Sequence, residues 1–137
     1  MRIYLCANGQ NEIWEMKMSS AYALARPVIM PSDLDDLRKR GFTNDELYKI
    51  VAPRRTLQRR EANNEQLSVV EADRVIRMQR ISNYAADVFG DAEQAQRWLR
   101  QPCAALEEAV PIELMETEQG GRLVDEELIR IRFGMFV

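Results

Sequence analysis

The chain has 137 residues and a formal net charge of −3, with two cysteines and no histidine. This length is enough for one core of ordinary size, or for a small helical module joined to another. Without histidine the chain cannot build Ser-His-Asp or Cys-His catalysis, and it lacks the commonest neutral metal ligand.

No catalytic, metal or cofactor site is expected from the remaining residues, and the protein is not predicted to be an enzyme. Cys6 and Cys103 lie far apart and form no CxxC motif, which argues against a zinc site. We expect free thiols in a reducing cytosol, with a single disulfide as the open alternative. Lysine occurs only at Lys17, Lys39 and Lys49, in no evident catalytic constellation.

The hydropathy pattern predicts a cytoplasmic protein that does not contact a membrane. No apolar run approaches the ~20 residues of a membrane span. The N-terminal sequence MRIYLCANGQ also lacks the long apolar stretch of a signal peptide.

The charge is unevenly distributed along the chain. Residues 38–60 carry eight basic and two acidic side chains, whereas residues 61–137 carry eight basic and 15 acidic ones. Attraction to DNA depends on local potential more than on net charge. The basic segment is therefore the candidate nucleic-acid contact, and the acidic second half is expected to face away from phosphate.

Residues 1–31 give the weakest structural signal. Alternating apolar residues and the turn signal Asn8-Gly9 allow a short hairpin, and an irregular arm fits equally well. The next stretch predicts a helix with Ser32 as its N-cap and Gly41 as its C-terminal stop. Its acidic residues lie in the first turn and its basic residues in the last, as the helix dipole favours.

Residues 43–60 predict two short helices joined by a tight turn. Thr43 and Glu46 have the spacing of a capping box at the start of the first helix. Pro53 ends this helix, because it biases the preceding residue away from helical dihedrals, and it suits the opening of a new one. The apolar residues that recur on one face of the first helix are Leu47, Ile50 and Val51.

The second helix of this pair is predicted from about Arg54 to Arg60, with Leu57 facing inward. A support helix followed by a helix whose first residues enter the major groove is the arrangement of a helix-turn-helix. Arg can pair bidentately with guanine and Gln with adenine, and other arginines can neutralise phosphate. The alternative is a solvated basic helix on a small helical protein. The candidate DNA-binding residues are Arg54, Arg55, Thr56, Gln58, Arg59 and Arg60.

The second half predicts a series of helices. After a polar loop at 61–66, Ser68 and Glu71 form a second capping box. They open a helix to about Phe89, which we expect to be the central core helix in preference to a coiled-coil dimer seam. The later helices are one from Ala92 to about Arg100 capped by Asp91, one that begins at Pro111 and is closed by Gly120-Gly121, and a last one followed by Gly134.

Several short runs recur together, with matching gaps, in one protein family. They are P-R-R-T-L-x-R-R at 53–60, L-S-x-x-E-x-D-R at 67–74, F-G-D at 89–91, W-L-R-x-P at 98–102, P-x-E-L at 111–114, T-E-x-G at 117–120 and I-x-F-G-x-F at 131–136. The ordered set resembles the Xre/MbcA/ParS-type antitoxins, which partner RES-domain toxins. Glu107-Glu108 departs from the family pattern, in which two glycines are common.

The resemblance implies an all-α fold in which an N-terminal helix-turn-helix (Xre/Cro-like) bundle precedes a C-terminal helical toxin-binding region. The expected divisions are an N-terminal arm at 1–31, a helix-turn-helix DNA-binding region at 32–66 and a toxin-binding and dimerisation region at 67–137.

The resemblance also implies a function. The protein would inhibit a cognate RES-domain toxin, which consumes NAD, by occluding its active site, and would repress its own operon. Its partners would be this toxin and operator DNA, with a homodimer and a hetero-oligomer with toxin as the assemblies. The alternative is a stand-alone transcriptional regulator whose C-terminal half only dimerises. The candidate toxin-binding residues are Arg130, Arg132, Phe133, Gly134, Met135, Phe136 and Val137.

Overall fold

The computed structural model describes residues 28–134, which form seven α-helices, one 3₁₀ turn and no strand. The expectations for residues 1–27 and for Met135, Phe136 and Val137 lie outside this range. No helix in the described range is long and apolar enough to cross a membrane. The helices are α1 (Pro31–Lys39), α2 (Asn44–Ile50), α3 (Arg54–Asn63), α4 (Val69–Phe89), α5 (Ala92–Leu99), α6 (Pro111–Leu114) and α7 (Glu118–Arg132), with the 3₁₀ turn at Ala104–Leu106 before α6.

The start of α1 differs from the sequence prediction. Ser32 is not the N-cap, because the helix begins one residue earlier at Pro31 and Met30 occupies the cap position. The Asp33 carboxylate accepts the Met30 backbone N–H at 2.8 Å. A proline in the first turn of a helix loses no hydrogen bond and has a suitable φ. The helix therefore starts at Pro31, and Ser32 lies inside its first turn.

Both predicted capping boxes are confirmed. The Thr43 hydroxyl accepts the Glu46 N–H at 3.2 Å, and the Glu46 carboxylate accepts the Thr43 N–H at 2.8 Å. Ser68 and Glu71 make the same reciprocal bonds at 3.2 and 2.9 Å. Each box satisfies two backbone donors that a helix start otherwise leaves without partners.

The end of α3 corrects the predicted loop at 61–66. The helix continues through Glu61 to Asn63, and Asn64 ends it in a left-handed conformation with φ of 50°. Asn tolerates this conformation better than most residues, since its side chain can bond locally. The helix therefore covers the first half of the predicted loop, and residues 64–66 still connect α3 to α4 without helical structure.

The core is built around α4, which packs against α5, α7 and α1. The predicted central position of this helix is confirmed. Trp98 is partly buried and lies against Phe89, with ring centroids 5.7 Å apart. Burying each large apolar side chain stabilises the fold by about 1.5–3 kcal/mol. The largest fully buried side chains include Leu34, Leu37, Leu47, Leu57, Met78, Ile81, Leu99, Met115 and Leu128.

Gly120-Gly121 was expected to close the helix that starts at Pro111, and this prediction is wrong. That helix, α6, already ends at Leu114, and the two glycines lie in the first turn of α7. A Cβ on Gly120 would lie 1.9 Å from the Leu114 carbonyl oxygen, and one on Gly121 would lie 2.7 Å from Cδ of Arg77. The glycines are therefore explained by close packing rather than by a helix stop.

The connection between α5 and α6 contains Glu107-Glu108, at the positions where two glycines are common in the family that the sequence resembles. Glu107 and Glu108 have φ of 57° and 63°, in the left-handed region that glycine adopts at no steric cost. The backbones at Cys103 and Ala109, on either side of these residues, pair in an isolated antiparallel β-bridge. The two glutamates thus keep the conformation that glycines would favour.

Candidate functional sites

The first candidate site is the helix pair α2 and α3, which has the predicted helix-turn-helix arrangement. Leu57 is fully buried and fixes the inner face of α3. Arg54, Arg55, Gln58 and Arg59 are exposed on its other side, as their spacing predicted. Within residues 28–134, no ion pair involves Arg54 or Arg55, so both guanidinium groups can reach a ligand from this face.

Arg54 is oriented by a neighbouring aromatic ring. Its guanidinium carbon lies 5.9 Å from the centre of the Tyr48 ring, within the range of a cation–π contact. Arg59 has only a long contact with Glu65 at 3.9 Å, and both side chains are well exposed. An exposed ion pair at this distance contributes little to stability, so Arg59 can leave Glu65 and pair with another anion.

Two of the six candidate DNA-binding residues are less accessible. Thr56 is half-buried. The Arg60 side chain is only 17% exposed, and its Nε lies 2.7 Å from the Glu71 carboxylate. Arg60 also donates to the carbonyl of Gln66 at 3.1 Å. Arg60 therefore links the end of α3 to the start of α4.

Part of the basic charge predicted for this region is neutralised internally. Arg38 pairs with Asp35 and Glu61, each at 2.6 Å. Burial lowers the pKa of Arg38, but the hydrogen bonds that its guanidinium donates to Glu61 and Asp35 outweigh this effect and raise the pKa above its ordinary value. Arg40 pairs with Asp36 at 2.9 Å. Arg38 and Arg40 are consequently less available to a ligand than the exposed Arg54, Arg55 and Arg59 of α3.

The second candidate site is the C-terminal end of α7. Arg130 pairs with Glu127 at 3.2 Å and remains 40% exposed. The Arg132 guanidinium lies over the Tyr84 ring at 5.6 Å. Phe133 is 67% exposed, and Gly134 follows it with a left-handed φ of 64°. These four residues lie together at the helix end, whereas Met135, Phe136 and Val137 fall outside the described residues.

A polar groove between α4 and α7 was not foreseen from the sequence. Buried Arg77 donates from Nη2 to Glu118 at 2.9 Å and from Nη1 to the carbonyl of Met115 at 3.2 Å. The hydrogen bond from Arg77 holds the pKa of the Glu118 carboxyl below its ordinary value. Arg80 and Asp125 form a second pair across the groove. The only available signal was the T-E-x-G run, which contains Glu118 and Gly120.

Comparison with known families places these sites in two adjoining domains. Residues 29–80 match the model of the antitoxin Xre-like helix-turn-helix domain. Residues 85–134 match the model of the antitoxin Xre/MbcA/ParS C-terminal toxin-binding domain. The first match contains α2 and α3, and the second contains the described end of α7.

The chain is also similar to curated antitoxins. It is 35% identical over 98 residues to antitoxin Xre of Pseudomonas putida, covering 72% of this chain and 62% of the relative. It is 31% identical over 90 residues to the Prs ADP-ribosylating antitoxin of a Sphingobium species, covering 59% of this chain and 57% of the relative. The chain thus spans about 60% of the length of these curated relatives.

A solved structure supports the fold. A chain in the crystal structure of the M. tuberculosis MbcT-MbcA toxin-antitoxin complex superposes with a TM-score of 0.59 at 23% identity, covering 78% of this chain and 96% of that one. The all-α fold with an N-terminal helix-turn-helix and a following C-terminal domain is confirmed. The matched models and named relatives describe antitoxins, which are inhibitory and regulatory proteins and not enzymes. The chain thus carries a match to the Xre-like helix-turn-helix domain at 29–80, followed by a match to the C-terminal toxin-binding domain of the Xre/MbcA/ParS antitoxins at 85–134.

Proposed function

We propose that this antitoxin binds and inhibits a cognate RES-domain toxin that consumes NAD, and that it represses its own operon through the helix-turn-helix. The observation that carries the proposal is the location of two distinct surfaces in the two matched domains. The first is the exposed basic face of α3, and the second is the exposed end of α7.

The DNA-binding part of the proposal rests on the face of α3 opposite Leu57. Arg55, Gln58 and Arg59 are exposed there and have the donor geometry that reads guanine and adenine edges in the major groove. Arg54 and Thr56, near the start of the helix, are suited to phosphate contacts that fix its register. Arg60 contributes by supporting the helix through Glu71, because that pair occupies its guanidinium.

The toxin-binding part of the proposal rests on the end of α7. Phe133 exposes two thirds of its surface, which is unusual for a large aromatic side chain and typical of an interface anchor. Together with Gly134 and the apolar residues Met135, Phe136 and Val137, it would fill the mouth of the toxin active site and exclude substrate. Arg130 and Arg132 flank this anchor and can pair with acidic groups of the toxin.

The proposed NAD chemistry belongs to the toxin and not to this chain. One relative is named for ADP-ribosylation, a reaction in which NAD generally supplies the ADP-ribose group. This supports a toxin that uses NAD. Inhibition by occlusion requires no cofactor on the antitoxin, because the bound chain only has to cover the pocket.

We also propose that the antitoxin works as a homodimer and as a hetero-oligomer with its toxin. A single helix-turn-helix reads only one half-site, and two copies must lie about one DNA turn apart to read a palindromic operator. Either a dimer of this chain or a shared toxin could hold two copies at that spacing.

The test is to express the neighbouring reading frame with and without this protein and to follow growth and cellular NAD. We expect NAD to collapse with the neighbour alone, to be preserved when both are present, and the two proteins to co-purify. Preserved NAD and growth with the neighbour alone, together with no co-purification, would refute the toxin partnership.

Deletion of residues 133–137 separates this proposal from a stand-alone regulator whose C-terminal half only dimerises. If the tail covers the toxin, its loss should release the toxin while operator binding stays within about twofold of wild type. Equal loss of both activities would favour dimerisation as the role of this region.

A further inference from the structure

Three valines lie exposed around the start of the central helix α4. Val69 and Val70 occupy its first turn and are 61% and 59% exposed, and Val28 is 62% exposed. The Ile29 carbonyl accepts the Leu67 N–H at 2.9 Å, which holds the chain around Val28 beside the residues that lead into α4. The three exposed side chains are called the valine patch.

The valine patch borders the core of the helix-turn-helix domain. Ile29 and Leu67, its neighbours along the chain, are both buried in that core. Contiguous exposed apolar side chains mark a place where another apolar surface binds. An apolar segment that lies over the valines would therefore extend an existing core.

Local helix preferences do not explain the two valines of α4. Valine is β-branched and has a lower helix propensity than alanine, glutamate or lysine. The first turn of a helix favours acidic side chains, because the helix dipole is positive there, and Glu71 follows this preference. Val69 and Val70 thus contribute nothing to the helix start unless another apolar surface covers them.

The same chain supplies an apolar segment next to the valine patch. Residues 1–27 join the described range at Val28, which belongs to the patch. Within them the run IWEMKM at 13–18 has four apolar side chains in six positions. The nine residues 19–27 separate this run from Val28. An extended chain of that length spans up to about 30 Å, which is enough to fold back onto the valines.

A second copy of the chain fits the valine patch less well. A stable dimer interface buries about 800 Å² on each partner, far more than three valine side chains supply. A segment of the same chain needs no such area. The backbone already holds it near the patch, so it loses little translational freedom when it docks.

We propose that residues 13–18 pack on the valine patch of their own chain and complete the core of the helix-turn-helix domain. Trp14 is the largest side chain of this run and supplies most of the contact, since a tryptophan can bury about 150–250 Å². This packing requires neither DNA nor toxin, so the isolated full chain is sufficient to test it.

The experiment measures how accessible Trp14 is to acrylamide in the full chain. The chain has two tryptophans, so Trp98→Phe leaves Trp14 as the one that is observed. In this background, Val69→Ser/Val70→Ser should raise the acrylamide quenching constant of Trp14 by about twofold or more, because the ring loses its apolar partner. An equal quenching constant with and without the valines would overturn the proposal.

Leu123→Ser/Ile129→Ser is the matched control in the same background. Both residues are exposed apolar side chains, 43% and 40% accessible, and they lie on α7 outside the valine patch. This double substitution should leave the quenching of Trp14 unchanged. A rise as large as that caused by the valine substitutions would show that Trp14 does not bind the valine patch specifically.

Urea denaturation of the full chain gives a second readout. Serine in place of an uncovered surface valine changes stability little, whereas serine in place of a covered valine loses apolar burial. The urea midpoint should therefore fall in Val69→Ser/Val70→Ser and stay unchanged in the control. An unchanged midpoint in both variants would overturn the packing. Val70→Ala, a smaller truncation, serves in both measurements if the double variant does not fold.

Sedimentation velocity determines whose segment covers the valines. The mass of the protein in solution should be the same with and without Val69→Ser/Val70→Ser, and Trp14 quenching should not depend on protein concentration. A wild-type dimer that the valine substitutions convert to a monomer would assign the valine patch to a second copy. That result would overturn packing within one chain.

Discussion

Nε of Arg60 lies 2.7 Å from the carboxylate of Glu71, and this pair joins the last turns of α3 to the first turn of α4. Glu71 is 8% exposed and also caps α4 by accepting the Ser68 N–H at 2.9 Å. One carboxylate therefore holds α3 and starts the central core helix α4. Arg60, which the sequence predicted as a DNA contact, therefore also joins these two helices.

Glu71→Ala should lower the free energy of unfolding by about 2–4 kcal/mol, because it removes a helix cap and takes the nearest carboxylate away from the poorly hydrated Arg60 guanidinium. Urea denaturation checks this. Glu65→Ala is the control, because Glu65 is 41% exposed and lies 3.6 Å from Arg60. It should cost no more than about 1 kcal/mol. Equal losses for the two variants would contradict the role of Glu71.

Replacing Arg55 or Arg59 by Ala should weaken operator binding by about 1–3 kcal/mol and relax specificity at the contacted base. Both side chains are exposed on the face of α3 opposite Leu57. Fluorescence anisotropy on operator variants at several salt concentrations measures this. Uniform weakening with a shallower salt slope would identify a phosphate contact instead. Unchanged affinity for both variants would exclude this face, and Arg97→Ala serves as the distant control.

The two glycines of α7 should respond differently to alanine. At Gly120 the new Cβ would lie 1.9 Å from a backbone carbonyl oxygen that cannot move without distorting α6. We expect Gly120→Ala to destabilise the protein by about 2–4 kcal/mol, despite the higher helix propensity of Ala. At Gly121 the Cβ would meet Cδ of the buried Arg77 side chain, which can shift more readily than backbone, and a smaller loss of about 1–2 kcal/mol is expected.

Thermal unfolding of both glycine variants tests this order. Gln119→Ala is the matched control, since Gln119 is exposed in the same turn of α7. A smaller loss for Gly120→Ala than for Gly121→Ala would show that α6 and α7 are not packed as closely as the structure has them.

The contact between Arg77 and Glu118 should depend on pH. The hydrogen bond from Arg77 lowers the pKa of Glu118 below its ordinary value of 4.5. A carboxyl whose pKa is lower in the folded state stabilises that state fully above its unfolded pKa, and the stabilisation is lost as pH falls through the folded pKa. Wild type should therefore be more stable than Glu118→Gln at pH 7, and this difference should shrink below about pH 4.5.

Denaturant unfolding of wild type and Glu118→Gln at a series of pH values measures the effect. Because both proteins share every other titrating group, the difference between them isolates Glu118. A difference that stays constant from pH 7 to acid pH would show that the carboxylate does not favour the folded state through its charge.

The sequence by itself determined the features that depend on near neighbours along the chain. The capping boxes at Thr43 and Ser68, the stop at Gly90 and the inward position of Leu57 all follow from residues within one or two turns. Helical periodicity also placed Arg55, Gln58 and Arg59 on one exposed face. These relations are local, so their geometry is fixed once a helix forms.

Only the tertiary structure decided the features whose partners are distant in sequence. Arg60 lies beside Glu71, and the glycines Gly120-Gly121, which the sequence predicted as a helix stop, lie against Leu114 and Arg77. Arg100 reaches Glu46 across 54 positions of the sequence. Residue type and spacing cannot specify such pairs, because which surfaces meet is set by how α4 packs its neighbours into one core.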